Sequence, residues 1–249
     1  MNIEYSANRM PIPVLVYHQI DHPPPEKQPF RSLYVTPAAF ARQMRLLDLL
    51  GYKGLSMSDL TPYLLGQRSG KVVGITFDDG YVNNLTHALP VLVQHQFSST
   101  CYAVSSLAGE TNLWDKGIGI AQAPLMNEFQ MRQWVAGGQE IGSHTKTHAD
   151  LKAISDDKCQ VEIGEGKADL ERILAEPLSH FCYPYGHYEV RHVDMARAAG
   201  FKTATTTQRS RCHAGVDMLE IPRVPVLRAT SLPLFWLKVA TPYEDRRSK

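Results

Sequence analysis

Short apolar runs and longer amphipathic segments alternate along this chain. Residues 14–17, 72–77 and 181–183 are short runs of apolar, β-branched or aromatic side chains, which is typical of buried strands. The segments between them carry apolar residues at three- and four-residue spacing, as Phe40 and Met44 do, which is typical of helices with one buried face. Because strands and helices alternate seven or eight times, we predict a parallel sheet that closes as a barrel.

The same patterns give approximate boundaries for the elements. Strands are predicted at residues 14–17, 52–56, 72–77, 99–104, 140–143, 181–183, 203–207 and 220–226. Helices are predicted at residues 37–50, 58–65, 84–96, 128–136, 155–174 and 192–199, with Ser58 as the cap of the second. Residues 105–127 show no clear period, and we expect them to form a loop over the carboxyl ends of the strands, where barrels place their chemistry.

Length and composition favour one α/β domain over residues 1–249. Of the 249 residues, 43% are hydrophobic and 20% are charged, and no linker divides the chain. With 26 basic and 25 acidic residues the net charge is +1, which gives no reason to expect a nucleic-acid partner. A polar N-terminus without a long apolar run predicts a cytoplasmic protein, and four cysteines without a Cys-x-x-Cys pair fit reduced thiols there.

The first candidate for chemistry is the pair of adjacent carboxylates in Asp78-Asp79-Gly80, directly after an apolar strand. Side chains on a strand alternate, so both can serve one site only if the strand has ended and the backbone turns, which Gly80 permits. One carboxylate can then bind a cation while the other handles a proton. An ordinary surface turn is the alternative interpretation of this tripeptide.

A second candidate is the pair His144 and His148, four residues apart. On one helical turn the two imidazoles would face the same way. With one carboxylate they would form a facial ligand set that leaves positions open for water or substrate. Two histidines on a solvated helix face are the alternative, but the Asp-Asp-Gly turn on another strand favours a metal.

A third segment, Tyr183-Pro184-Tyr185-Gly186, follows another predicted strand and taken alone is a tight turn. In order and rough spacing, residues 76–80, 144–148 and 183–186 resemble the first three motifs of the polysaccharide deacetylases, the NodB-homology group or carbohydrate esterase family 4. The resemblance covers residues 13–226. It implies a distorted (β/α) barrel and the metal-dependent hydrolysis of an N-acetyl group on an amino sugar.

The resemblance also implies roles for particular residues. Asp79, His144 and His148 would hold one divalent metal ion, typically Zn²⁺, and Asp78 would be the general base. The N–H of Tyr185, next to Pro184, would help to hold the oxyanion. The chemistry of the residues agrees, because a cation with two neutral ligands and one carboxylate keeps positive charge and lowers the pKa of its water toward ~7.

Two positions depart from the family pattern. Many members orient the base with an arginine at the position of Cys182, and we expect Arg223 to replace it, with a surface arginine as the alternative. Many members also carry an acid histidine near the C-terminus, whereas this chain has no histidine after His213. His18 follows an N-terminal strand as in the circularly permuted branch that includes poly-N-acetylglucosamine deacetylases, and it is our candidate for the general acid.

Several alternatives remain at this level. Trp114 either covers a sugar ring or packs at the rim. A glycan-binding module on the same barrel is the alternative to an enzyme. Residues 232–239, followed by Arg246, Arg247 and Lys249, form either the last barrel helix or a weak membrane-surface anchor. With the cytoplasmic expectation, this segment favours a lipid-linked or nucleotide-linked amino sugar over an exported polymer.

Overall fold

A computed structural model of the protein describes residues 10–26 and 28–247. The polar start of the chain (residues 1–9) and Lys249 of the predicted basic tail lie outside the described residues. The predicted α/β barrel of parallel strands is confirmed: seven strands close into a barrel and one more strand joins its edge.

The barrel strands follow one another around the sheet in chain order, and the last pairs with the first. They are β1 (Val14–Tyr17), β5 (Val72–Phe77), β6 (Thr100–Ala103), β7 (Glu140–Ser143), β8 (His180–Cys182), β9 (Thr203–Arg209) and β10 (Ile221–Pro225). The additional strand β4 (Lys53–Leu55) pairs with the first half of β5, and the second half of β5 pairs with β6. Strands β2 (Gln19–Ile20) and β3 (Tyr34–Val35) form a separate parallel pair.

Seven α-helices accompany the strands within the described ranges. They are α1 (Pro37–Leu49), α2 (Met57–Leu64), α3 (Leu89–Gln94), α4 (Glu128–Ala136), α5 (Asp156–Leu174), α6 (Val190–Ala198) and α7 (Leu232–Ala240). The start of α1 agrees with its predicted signal, because the hydroxyl of Thr36 accepts a hydrogen bond from the Ala39 N–H at 3.3 Å and Pro37 follows the cap.

Two predicted helices differ from the structure in their first turn. Helix α2 is capped by Ser56, whose hydroxyl accepts the Asp59 N–H, while the hydroxyl of Ser58 bonds to Glu140 instead. The segment predicted as one helix from residue 84 begins with a π-helical turn, Asn84–Ala88, before α3. The amide of Asn84 bonds there to the backbone of the segment after β1, and such a long-range contact leaves no trace in local periodicity.

Packed aromatic rings fix the end of β5. The ring of Phe77 lies 5.6 Å from Tyr17, 5.9 Å from Phe40 and 5.7 Å from Trp134, measured between ring centroids. All four side chains are fully buried. Because Phe77 directly precedes Asp78, this cluster sets where the two carboxylates leave the strand.

Helix α7 buries its apolar face against the rest of the molecule. Phe235 and Val239 are buried, and the ammonium of Lys238 is held by Glu244 at 2.5 Å, whereas Trp236 remains 43% exposed. This is the arrangement expected of a last barrel helix. Among residues 10–26 and 28–247, no helix combines the length and the apolar character that crossing a bilayer requires.

Candidate active site

The residues predicted to carry chemistry converge at the carboxyl ends of the barrel strands. Asp78 and Asp79 follow β5, His144 follows β7, and His18 follows β1. Arg223 lies within β10 and points into the barrel, where it contacts Asp78. This end of a parallel barrel is where βα loops build active sites.

Asp79, His144 and His148 form a buried group that fits a metal ion. Their ligand atoms lie within 4.8 Å of one another. The Nε2 atoms of His144 and His148 lie 3.5 Å and 3.4 Å from the same Asp79 oxygen. The Nδ1–H of His144 donates to the carbonyl of Cys182 at 2.8 Å, which aims Nε2 at the group, as metal-binding histidines require. Two imidazoles and one carboxylate are a donor set suited to Zn²⁺.

The prediction that His144 and His148 share a helical turn is wrong. Residues 144–148 form a loop, in which Thr145 and His148 adopt left-handed backbone conformations with φ of 64° and 63°. The loop still brings the two imidazole rings together, with centroids 4.8 Å apart.

Helix α5 imposes this loop conformation through a buried carboxylate. Glu162 accepts hydrogen bonds from the N–H groups of Lys146 (3.1 Å) and Thr147 (2.8 Å) and from the Thr147 hydroxyl (2.7 Å). A Cβ at Gly166 would come within 2.8 Å of the Lys146 nitrogen, so only glycine lets the loop approach the helix this closely. The donors of the loop are therefore satisfied by α5 and not by helical bonds within the loop.

Asp78 is paired with Arg223 inside the barrel. The guanidinium donates to both carboxylate oxygens, at 2.7 Å and 2.8 Å, in a bidentate geometry. Arg223 is 1% exposed, so it is not the surface arginine of the alternative interpretation. Burial alone would raise the pKa of Asp78, but the charge and hydrogen bonds of Arg223 outweigh it and hold the pKa below its usual value.

The His18 imidazole lies near the same carboxylate. Its Nε2 lies 3.9 Å from the Asp78 carboxylate, and its side chain is 25% exposed. The backbone around it is fixed by the buried Asn84, which donates to the His18 carbonyl at 2.8 Å and accepts the Ile20 N–H at 3.2 Å. His18 is therefore the more exposed neighbour of the buried Asp78 carboxylate.

Aromatic rings enclose the outer metal-ligand candidate. Trp114 stacks on His148 with ring centroids 4.2 Å apart and planes 18° apart, and Tyr185 meets the same ring edge-on at 4.6 Å. Tyr185 adopts a left-handed conformation with φ of 58° after the buried Pro184. Trp114 comes from the segment 105–127, so this segment does lie over the site as predicted.

These side chains line a cavity of about 320 Å³ that opens at the carboxyl end of the barrel. Predicted residues in its wall are His18, Asp78, Asp79, Trp114, His144, His148 and Tyr185, whereas Pro184 does not belong to the wall. Residues in the wall without a predicted role include Gln19, Tyr34, Tyr81 and Asp115.

The interpretation of the sequence missed Glu162 and Asn84. Glu162 shows a weak signal, because it lies on the buried face of α5 that also carries Cys159, Ile163 and Gly166. An acidic residue at such a position needs a buried partner. Asn84 shows no sequence signal of its role beyond its place at the start of a helical pattern.

The chain belongs to the polysaccharide deacetylase family. The family model described as polysaccharide deacetylase matches residues 66–204, more than half of the 249 residues. The resemblance that the three motifs indicated is thereby confirmed, and with it the class of deacetylating hydrolases.

Individual relatives agree with this assignment. YxkH of Bacillus subtilis (strain 168), whose name places it among the polysaccharide deacetylases, is 27% identical over 217 residues, which cover 86% of this chain and 71% of that protein. The peptidoglycan-N-acetylglucosamine deacetylase of Bacillus cereus is 29% identical over 134 residues, covering 53% of this chain and 55% of that relative. The chain thus spans about half the length of this second relative.

A solved structure shows the same fold over nearly the whole length of both chains. The Streptococcus pyogenes deacetylase PplD in complex with acetate is 25% identical to this chain and superposes with a TM-score of 0.81. The match covers 93% of this chain and 99% of that one.

Loss of the Arg223 charge should destabilise the fold in a pH-dependent way. Arg223→Met should lower the free energy of unfolding by about 3–5 kcal/mol at neutral pH, because Asp78 would keep a buried charge without its partner. Since the folded pKa of Asp78 is lowered, its pairing stabilises the protein above the ordinary carboxyl pKa. The difference should therefore shrink as the pH falls through the lowered value, which urea denaturation at several pH values measures.

Arg197→Met is the matched control. Arg197 pairs with Asp194 at 2.8 Å on the surface, where its side chain is 52% exposed. That variant should change the free energy of unfolding by less than about 0.5 kcal/mol. Equal losses in the two variants would contradict the importance of the buried pair.

Proposed function

We propose that this protein is a metal-dependent hydrolase that removes the N-acetyl group, or a similar small N-acyl group, from an amino sugar. The observation that carries the proposal is the convergence of Asp79, His144 and His148 beside a separately held carboxylate, Asp78, on the wall of one cavity. Ligands and base are thus supplied by different side chains, as hydrolysis with a divalent ion needs.

Asp79, His144 and His148 would hold the ion, which we propose to be Zn²⁺. Such an ion supplies positive charge for the acyl oxygen and for the attacking water. The ligand Asp79 is ready for this role, because hydrogen bonds from the two histidines outweigh its burial and hold its pKa well below the usual value.

Asp78 is the proposed general base. Its lowered pKa keeps the carboxylate ionised at neutral pH, so that it can take the proton of the attacking water. Arg223 fixes the plane of the carboxylate through two hydrogen bonds. This contact supports Arg223 as the positioning residue that stands in for the arginine missing at Cys182.

The leaving nitrogen and the oxyanion need two further groups. We assign the acid to His18, which lies at the mouth of the cavity 3.9 Å from Asp78 and can pass a proton to the amine as the C–N bond breaks. We assign the oxyanion contact to the N–H of Tyr185, whose left-handed backbone turns the peptide away from the strand direction.

The proposed substrate is an N-acetylated amino sugar within a glycan or a glycan precursor. The Bacillus cereus relative is a peptidoglycan-N-acetylglucosamine deacetylase, and the solved Streptococcus pyogenes deacetylase was captured with acetate. Both names support an N-acetyl group as the part that is hydrolysed. A glycan-binding module without turnover remains the second candidate, but a base held ionised in the barrel favours the enzyme.

Acetate release and metal content test the function together. The wild-type protein should bind about one divalent ion and release acetate from N-acetylated glucosamine oligomers. His148→Ala should lose both, because one imidazole and one carboxylate are too few ligands for a tight open site. His187→Ala is the control, since His187 is an exposed histidine that pairs with Asp150 at the rim.

Full metal occupancy in His148→Ala would overturn the ligand assignment. A wild-type protein that binds the oligomers without metal and without acetate release would instead establish the glycan-binding module.

Replacement of His18 should separate the acid from the metal site. His18→Gln should keep the ion but lower kcat by about 10²–10⁴, because the amine must leave unprotonated. The alkaline limb of the pH–rate profile should also change. His87→Gln is the control, since His87 bonds to the Ile20 carbonyl at 2.7 Å in a neighbouring segment. An unaltered profile in His18→Gln would assign His18 to structure.

The narrower version of the proposal is a cytoplasmic enzyme that acts on a lipid-linked precursor and binds weakly to the membrane surface. Trp236 and the basic residues Arg246 and Arg247 support it, whereas the burial of Phe235 and Val239 leaves little apolar surface for insertion. If this version holds, the protein should float with vesicles that contain anionic lipid and should lose that binding in Trp236→Ala. Absence of flotation, with good turnover of free or nucleotide-linked sugars, excludes it.

A further inference from the structure

The cavity offers polar groups that the proposed chemistry does not use. Its wall continues past His148 to Asp115 and, from the small β2–β3 sheet, to Gln19 and Tyr34. The hydrolysis proposed above needs the three metal ligands, the base, the acid and one backbone N–H. Asp115 is therefore a cavity carboxylate without an assigned role.

Asp115 is held in place by a buried clamp. The amide of Asn112, which is fully buried, donates to the Asp115 carboxylate at 2.9 Å and to the Ala121 carbonyl at 3.3 Å. The Asn112 carbonyl oxygen accepts the N–H of Ala123 at 2.7 Å. Asn112 therefore positions the Asp115 carboxylate before any ligand arrives.

The clamp leaves acceptor capacity on Asp115. An ionised carboxylate has about four acceptor sites, of which Asn112 occupies one. Among the described residues, the buried groups with metal-ligand spacing contain Asp78 or Asp79 but not Asp115. The remaining capacity of Asp115 thus faces the cavity without belonging to the metal site.

The surroundings of Asp115 match a neutral, hydroxylated ring. Tyr34 and Gln19 are uncharged, and the Gln19 side-chain oxygen accepts a hydrogen bond from Asn83 at 3.0 Å. Burial raises the pKa of Tyr34, so its hydroxyl remains a donor. Trp114 and Tyr185 add aromatic surface, which suits the apolar face of a pyranose.

We propose that Asp115 is a sugar-binding residue whose carboxylate accepts a hydrogen bond from a ring hydroxyl of the N-acylated pyranose. This inference rests on the proposed function. Asp115 then recognises the sugar ring that carries the acyl group, whereas Asp78 and the metal ligands act on the acyl group itself.

The test compares a sugar substrate with an acyl substrate that lacks hydroxyls. Asp115→Asn should lower kcat/KM for N-acetylglucosamine oligomers by about 10- to 100-fold, mainly through KM, since a hydrogen bond to a charged acceptor is lost. Hydrolysis of 4-nitrophenyl acetate should stay unchanged. Asp150→Asn is the matched control, because Asp150 pairs with His187 at 2.9 Å and lies outside the cavity wall.

Monodeoxy sugars identify the bonded hydroxyl. The analogue that lacks it should be a poor substrate for the wild-type protein, yet the same analogue and the parent sugar should be turned over alike by Asp115→Asn. A misfolded variant would not make the effects of the missing hydroxyl and of the Asp115 replacement non-additive. Retention of ester hydrolysis also shows that the variant is folded.

Three outcomes would overturn the assignment of Asp115. They are an unchanged KM for the oligomers, an equal loss on sugar and ester, and a salt-sensitive preference for partly deacetylated oligomers, which would mean that Asp115 binds an ammonium group instead. Failure of the proposed function looks different: the wild-type protein would hydrolyse the ester but release no acetate from any N-acetylated sugar.

Discussion

Two adjacent carboxylates buried at the end of one strand are the constraint on which the rest of this structure depends. Asp78 and Asp79 are 3% and 7% exposed, and charge of one sign cannot remain in such a place without compensation. The chain divides the compensation between two sources. Arg223 compensates the charge of Asp78. Its five N–H groups all donate hydrogen bonds, to Asp78, Thr76, Cys182 and the Thr206 carbonyl. Asp79 lies beside His144 and His148 instead, and these three side chains together could hold a cation.

The loops at the site are held in conformations that they would not adopt alone. Asp79, Thr145, His148 and Tyr185 have φ of 74°, 64°, 63° and 58°, although none of them is glycine. Each such residue costs about 1–3 kcal/mol and persists only where its surroundings over-determine it. Those surroundings are visible: Glu162 satisfies the donors between the two histidines, and Gly166 allows the close approach of α5. Helix α5 therefore holds the loop that carries Thr145 and His148 in its strained conformation.

The features that local sequence patterns determine were predicted correctly. The barrel follows from alternating strands and helices, and the position of Asp78 and Asp79 follows from an apolar run that ends in charge. The predicted helical turn at 144–148 is wrong because the same four-residue spacing also fits a loop. Glu162, 15 residues from Thr147, accepts the hydrogen bonds of that loop. The π-helical turn at Asn84 and the contact of Arg223 with Asp78, 145 residues apart, likewise depend on pairs that periodicity cannot register. Motif resemblance pointed to the site and to Arg223 as the partner of Asp78, but not to Glu162 or Asn84, which hold the loops around it.

In this chain a cation reaches Asp78 from β10, whereas β8 ends in Cys182 beside it. The Cys182 sulfur lies 3.2 Å from an Arg223 nitrogen, so both residues border the same place beside Asp78. Inside a closed barrel every strand faces the same interior, and a long side chain from β10 can reach what a residue at the end of β8 would reach. A small thiol at 182 also leaves room for the guanidinium. The pKa of Asp78 depends on where the guanidinium lies and on its hydrogen bonds, and not on which strand supplies it.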